Sequence, residues 1–359
     1  MSQGVVDATI ARIREHALRH GLESVNIVFH GGEPLLAGEN FFRYFVEAAN
    51  TRLRPSVRPH FLMQTNATLL SCRWLELFAE LGINFGISLD GTPEAHDANR
   101  VDHQGRGSYQ KVEEAIRLIT SSDRSLHNLA RPVLTVINLE SDPLDVYRHL
   151  RGLGFKGADF HLPDGTHDAP APGLVDGGTD TPYADWLIAI FNEWFDQADG
   201  SFRIRLFENI IGLIFGVELS TDNIGGRKSN CIVIETDGGM EPIDALKACA
   251  EGITKVGLNV VNNEIDDAYE IPLFRLYLGG ADVLCDTCKS CPIGKVCGGG
   301  YLPHRYSSAN GFDNPSIYCR DLMKLISHIQ ERVLDTLPPK VRADMQLATL
   351  SELQGAPAR

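Results

Sequence analysis

The sequence predicts an α/β fold of parallel βα units, followed by a small cysteine-rich region. Short apolar runs alternate with amphipathic runs through the first 165 residues. Polar residues or glycines gather where each apolar run ends. Five of the eight cysteines fall between Cys285 and Cys319.

Val6, Ile10, Ile13 and Ala17 recur at helical spacing over residues 3–20, with Arg12, Arg14 and Glu15 off the stripe, so the chain opens on an amphipathic helix. An apolar strand, "VNIVFH", follows and is ended by Gly31-Gly32. The alternation then repeats: helix "NFFRYFVEAANTRL", strand "HFLMQTNAT", helix "SCRWLELFAELG", strand "NFGISLDG", helix "SYQKVEEAIRLIT", strand "PVLTVINLE", helix "PLDVYRHLRGLG" and strand "GADFHLP". Strands alternating with helices at this interval imply parallel βαβ units. Their short, apolar character suits strands covered on both faces. In parallel barrels the C-terminal strand ends carry the chemistry, and here those ends are His30 to Glu33, Gln64 to Asn66, Ser88 to Gly91, Asn138 and His161. Beyond residue 164, "PDGTHDAPAPGLVDGGTDTP" reads as a linker or covering loop. Helices are expected over 182–197 and 203–218, a hairpin around Asp237-Gly238-Gly239, a helix over 263–279 and a last helix in "RDLMKLISHIQERVLDTL". The tail from Pro338 has weak periodicity.

A net charge of −14 argues against a nucleic-acid partner, whose binding rests on clustered Lys and Arg. No apolar run is long enough to span a membrane or to act as a signal peptide, so a cytoplasmic setting is expected. There, closely spaced cysteines are metal ligands or catalytic groups more often than disulfides. Cys288, Cys291 and Cys297 are spaced C-x2-C-x5-C, and Cys319 follows across a Gly-rich loop. Four thiolates of this kind suit Zn(II) or a [4Fe-4S] cluster, and spacing does not choose. Cys72, at a helix start, reads as a buried small hydrophobe. Cys231, Cys249 and Cys285 read as unrelated thiols or as a second cluster, with the former favoured.

Several residues have a physical reading of their own. Gly31 and Gly32 let the backbone approach a ligand closely, and Glu33 can accept from an ammonium group. Gln64 and Asn66 offer neutral donors and acceptors. Ser88 and Asp90 stand where a hydroxyl could be held, Arg106 could fork onto a carboxylate, and Asn138 ends the fourth of these strands. His30, His161, His167 and His304 receive no catalytic role, because a lone histidine is more often only hydrogen-bonded.

"FHGGEPLL", "QTNATLL", "GISLDGTPEAHDANRVDHQGRGSY" and "VCGGGYLPHRYSSANGFDNPSIYCRDL" together resemble the radical S-adenosylmethionine enzymes that carry a C-terminal SPASM, or auxiliary-cluster, domain. Within them, the resemblance is to anaerobic sulfatase maturases and, most nearly, to actinobacterial cyclophane-forming peptide maturases. It implies a partial (β/α)6 TIM-like barrel lacking its first strand, with residues 1–165 as barrel, 166–225 as linker and helices, 226–336 as a SPASM-like domain and 337–359 as a tail. Gly31, Gly32, Glu33, Gln64, Asn66, Ser88, Asp90, Arg106 and Asn138 would then bind S-adenosylmethionine. Cys288, Cys291, Cys297 and Cys319 would hold one auxiliary [4Fe-4S] cluster. The implied activity is hydrogen-atom abstraction from a side chain of a peptide or protein substrate, cross-linking or oxidising a ribosomal precursor. A non-catalytic peptide-binding protein, a formylglycine-generating maturase and a zinc-stapled protein are the alternatives.

The family's C-x3-C-x2-C motif, which holds the radical-generating cluster, does not occur in this sequence. The expectation is that the first strand and its cluster loop are missing together, through a shortened gene model, an internal start or a trimmed chain, with natural loss as the alternative, and that the chain as written does not generate the radical. Two further departures are expected to limit the auxiliary clusters to one and to favour cross-linking over sulfatase maturation. Asp244 and Tyr301 stand at places where cluster cysteines belong in the family, and Ala245 where sulfatase maturases have an aspartate.

Overall fold

The computed structural model describes residues 1–121, 129–130, 132–175, 177–219 and 221–340. The remainder of the tail, 341–359, lies outside the described residues.

Six parallel strands form a curved, open arc: β1 (Ser24–Phe29), β2 (Arg58–Thr65), β3 (Ile83–Ile87), β4 (Val133–Val136), β5 (Gly157–His161) and β6 (Arg203–Ile204). Register runs Ile27↔Phe61, Met63↔Phe85, Thr135↔Phe160 and Gly157↔Arg203. The ladder thins between β3 and β4, where isolated bridges Phe85↔Ala130 and Ser88↔Leu134 join the halves. Side chains reinforce that seam: Thr135 Oγ1 donates to the Leu89 carbonyl at 2.8 Å, and the Val136 N–H donates to Asp90 Oδ1 at 2.9 Å.

The connecting helices are α1 (Gln3–Arg19), α2 (Glu39–Leu53), α3 (Cys72–Leu81), the short α4 (Pro93–Asp97), α5 (Tyr109–Ser121) and α6 (Pro143–Gly152). Each of the longer ones buries its expected stripe. In α1 this is Val6, Ile10 and Ala17, and in α5 it is Val112, Ala115, Ile116 and Ile119. A Ser2 cap starts α1, and Asp142 followed by Pro143 starts α6. Then come α7 (Pro182–Gln197), α8 (Arg205–Ile214), the hairpin β7 (Val233–Ile234) and β8 (Met240–Glu241), α9 (Pro272–Leu278), two single turns α10 (Asp286–Lys289) and α11 (Gly294–Cys297), and α12 (Cys319–Asp335). Helix α12 returns to pack on α7 and α8, and its first turn locks there through the Tyr183–Tyr318 pair, edge-to-face at 5.1 Å.

The structure departs from the sequence reading in four places. The segment over 203–218 begins as strand β6, which extends the arc through the backbone of β5 and puts a strand inside the span read as linker and helices. The helix over 263–279 is split into a 3-10 turn, Ile265–Glu270, and α9, because Pro272 holds Ile271 extended. Cys72 is exposed: it is the first residue of α3, whose buried face is Leu75, Leu77 and Phe78. Cys285, favoured as an unrelated thiol, stands within hydrogen-bonding reach of Cys288.

A second small core, Met240, Val260, Ala268 and Phe274, holds the C-terminal module together and takes Val5 and Ala8 of α1 against it. Helix α1 therefore belongs to two packing units at once. Among the described residues, no helix is long and apolar enough to cross a membrane.

Candidate functional site

A cavity of about 990 Å³ opens where the C-terminal ends of β1 to β5 face the C-terminal module. The strand side contributes His30, Gln64, Ser88, Thr135 and His161. Facing them are Ile243, Asp244, Ala245, Tyr301 and His304, with Asn209, Asp222 and Leu325 at the side.

The turn after β1 is built by Gly31 at φ +112°, and a Cβ added there or at Gly32 would meet nothing within 4 Å. That open space is what a ligand approaching the backbone needs. Glu33 then turns back onto β2. Its carboxylate accepts from Thr65 Oγ1 at 2.7 Å, the Asn66 N–H at 2.8 Å and the Leu35 N–H at 3.0 Å, which leaves acceptor capacity for one further donor. Gln64 Nε2 donates to Ser88 Oγ at 2.9 Å. Gly86 makes that contact possible, since a Cβ there would lie 2.3 Å from Gln64 Oε1. These residues the structure brings together at the strand ends.

The other predicted residues are placed differently. Asn66 closes a local turn by accepting from the Thr68 N–H and hydroxyl at 3.0 and 2.8 Å. Asp90 is buried and takes the guanidinium of Arg100, Nε to Oδ2 at 2.5 Å. Arg106 is exposed and pairs with Asp102, holding that carboxyl down to about 2. Asn138 Oδ1 accepts from the Glu140 N–H at 3.0 Å. None of these four lines the cavity, nor do Gly31, Gly32 and Glu33, which stand next to its lining residue His30, whereas Arg100 does, aimed there by Asp90. His167 Nε2 contacts the Pro315 carbonyl at 2.9 Å, away from the cavity.

The sequence reading did not single out the polar floor. Asp159 lies buried in β5, with His161 Nε2 at 3.1 Å and Arg205 Nε at 2.6 Å. Burial pushes its carboxyl up, but His161 and Arg205 outweigh that and leave it below the ordinary value. An aspartate in the middle of the run "GADFH" was the available signal, because strand interiors disfavour it. Asp164 is exposed at the cavity; desolvation by the crowded wall, then the neighbouring Asp244, raise its pKa. Asp244 Oδ2 lies 3.5 Å from His30 Nδ1. Desolvation by neighbouring groups also raises the exposed Cys231 thiol, and raises the half-buried Cys249 to about 12 beside Asp164.

Cys288, Cys291, Cys297 and Cys319 come together below this wall, with Cys285 beside them. Burial and the surrounding thiols push Cys288 up; Cys297 rises to about 12 and Cys319 to about 11. Among the described residues, no three cysteine sulfurs lie within 4.8 Å of one another. Arg305, 6% exposed, supports the loop from beneath by donating to the carbonyls of Gly299 at 3.0 Å, Gly298 at 3.2 Å and Gly300 at 2.8 Å.

An open parallel arc with a Gly-Gly-Glu turn after its first strand, a cavity at the strand C-termini and a cysteine module across it make this protein similar to radical SAM, sulfatase-maturase-like proteins. Residues 4–136 match the Radical SAM superfamily. Over 322 residues the chain is 27% identical to a cysteine-type anaerobic sulfatase-maturating enzyme of Clostridium novyi, covering 86% of this chain and 81% of that one. It is 25% identical over 294 residues to a serine-type anaerobic sulfatase-maturating enzyme of Klebsiella aerogenes, covering 81% and 69%. Its fold is similar to the solved structure of native anSMEcpe with bound AdoMet and Kp18Cys peptide, with TM-score 0.79, 23% identity and coverage of 93% and 90%.

Proposed function

We propose that this protein is a radical S-adenosylmethionine maturase acting on a peptide or protein side chain, and that its finer activity is cross-linking or oxidation of a ribosomal precursor peptide. The observation that carries the reading is the cavity. Its volume of about 990 Å³ lies at the upper end of the ~300–1,000 Å³ of small-molecule sites, which leaves room for a peptide segment beside a cofactor. It also sits between a polar strand-end floor and a cysteine module.

In such a maturase a 5′-deoxyadenosyl radical, drawn from S-adenosylmethionine on a reduced [4Fe-4S] cluster, would remove a hydrogen atom from a substrate carbon; this sequence has no C-x3-C-x2-C to hold that cluster, so the residues present would supply the binding of S-adenosylmethionine and of the peptide. Gly31 and Gly32 leave the backbone accessible to the methionine moiety, and the remaining acceptor capacity of Glu33 suits its ammonium group. Gln64 and Ser88 form a neutral polar pair for the nucleoside. Cross-linking removes two hydrogens from the peptide and forms one bond. One hydrogen leaves as the abstracted atom, and the second leaves as a proton and an electron. Asp244 and Asp164 face the cavity as proton acceptors. Cys288, Cys291, Cys297 and Cys319 would hold an auxiliary [4Fe-4S] cluster as the electron acceptor.

Formylglycine formation is the second reading. It is favoured by the sulfatase-maturating relatives and by the Asp244 carboxylate, which reaches the cavity beside Ala245. The test is an anaerobic turnover with S-adenosylmethionine, reductant and candidate precursor peptides, using the protein as its genomic reading frame encodes it. Formation of 5′-deoxyadenosine with a peptide short of two hydrogens supports cross-linking. A product that reacts with a hydrazide supports the aldehyde. Absence of 5′-deoxyadenosine removes the enzyme reading in favour of a peptide-binding protein.

A further inference from the structure

We propose that His16, His20 and Asp266 form a binding site for a divalent transition metal, zinc in preference, that fastens helix α1 to the C-terminal module. His16 and His20 lie four residues apart in and just after the last turn of α1, so both imidazoles rise on the same face. Their ring centroids are 4.5 Å apart. Asp266, in the 3-10 turn Ile265–Glu270, reaches across from the module: its Oδ1 is 2.5 Å from His16 Nδ1 and 3.1 Å from His20 Nε2. One ligand atom from each residue lies within 4.8 Å of the other two, and no other group of three does so among the described residues. One ion with bonds of ~2.0–2.2 Å spans such a triangle with modest side-chain adjustment.

The donor set narrows the ligand. Two imidazoles and one carboxylate suit zinc, and also cobalt, nickel or copper, while calcium and magnesium take oxygen. With three protein ligands, the fourth position falls to water. Arg19 donates to Asp266 Oδ2 at 2.7 Å and to Glu264 Oε2 at 2.6 Å. A donor on the second oxygen of a ligating carboxylate orients the first, as partners around metal ligands commonly do. None of the three ligands lines the cavity, and no cysteine is among them. The site is therefore separate from any cluster on the thiols.

Its position gives it a role. Val6, Ile10 and Ala17 of α1 pack into the main core while Val5 and Ala8 pack on the module, so an ion held by both sides is bound only when the two are docked.

The test is calorimetric titration of zinc chloride into the cluster-loaded protein, repeated on chelator-stripped protein with its thiols alkylated. The expected result is one equivalent bound in both preparations, lost in H16N/H20N and weakened at least tenfold in D266N. Should D266N fold poorly, H20N replaces it, since His20 is at the surface, and the same tenfold loss is expected. Cobalt chloride should give visible bands without thiolate-to-metal charge transfer. No bound equivalent in the alkylated protein, or unchanged binding in both H16N/H20N and H20N, would overturn the proposal.

Discussion

Replacing Arg305 by methionine tests the support under the cysteine loop. The guanidinium is buried and feeds three consecutive carbonyls, Gly298 to Gly300, directly after Cys297. Each of those glycines has positive φ, which turns its carbonyl inward. Hydrogen bonds from a charged donor are worth ~1.5–3 kcal/mol each, so three sum to roughly 4.5–9 kcal/mol gross. Methionine recovers part of this, because a buried guanidinium carries a desolvation cost of several kcal/mol. That cost is visible in the way burial lowers the Arg305 pKa. The net expectation is a loss of about 3 kcal/mol, together with a loop that holds its metal centre less well. R305K should also lose stability, by about 2 kcal/mol, since an ammonium cannot fork onto three carbonyls. Urea unfolding followed by tryptophan fluorescence measures the first effect, and iron retained after gel filtration measures the second. Wild-type unfolding and wild-type iron in R305M would refute the reasoning.

Three further outcomes are expected. His304 is buried, and burial followed by the charge of Arg305 holds its pKa down to about 4 against 6.5. The folded protein keeps it neutral while the unfolded chain takes up a proton, so its contribution is full above pH 6.5, falls as pH drops to 4 and is constant below that. The integrated loss is about 3 kcal/mol, and H304F should flatten that part of a stability-against-pH curve measured by urea unfolding. Y318F removes the hydroxyl that donates to the Pro163 carbonyl at 2.7 Å and should cost ~1–2 kcal/mol in thermal unfolding; an unchanged transition would show that this bond does not hold α12 to the cavity wall. Gly298 sits at φ +63°, where a Cβ would fall 1.8 Å from the Gly226 nitrogen. G298A should therefore lose more than ~4 kcal/mol or fail to accumulate as soluble protein, and normal expression with a normal melting profile would contradict that packing.

The alternation of strands and helices was legible because each element carries its own period. Val6, Ile10 and Ala17, or Val112, Ile116 and Ile119, announce a helix face without help from the rest of the chain. Strand β6 was not legible, because two residues carry no period and Arg203 is a strand residue only through its pairing with Gly157. The division between Asp90 and Arg100 was hidden for a related reason. Both belong to one loop region, but which of them faces the cavity is decided by the Val136 N–H, contributed from a distant strand. The same holds for the His161, Asp159 and Arg205 group, which forms only once β5 and β6 lie side by side. The thiols were readable from spacing, whereas the nearness of Cys285 to Cys288 depends on how α10 turns.

The most direct test of the account is an iron and acid-labile sulfide analysis of the anaerobically reconstituted protein, alongside C288A/C291A and C319A. About four irons and four sulfides per chain are expected on Cys288, Cys291, Cys297 and Cys319, with a brown chromophore that both variants lose or weaken. One zinc per chain on the thiols, with no iron and no chromophore, would contradict it.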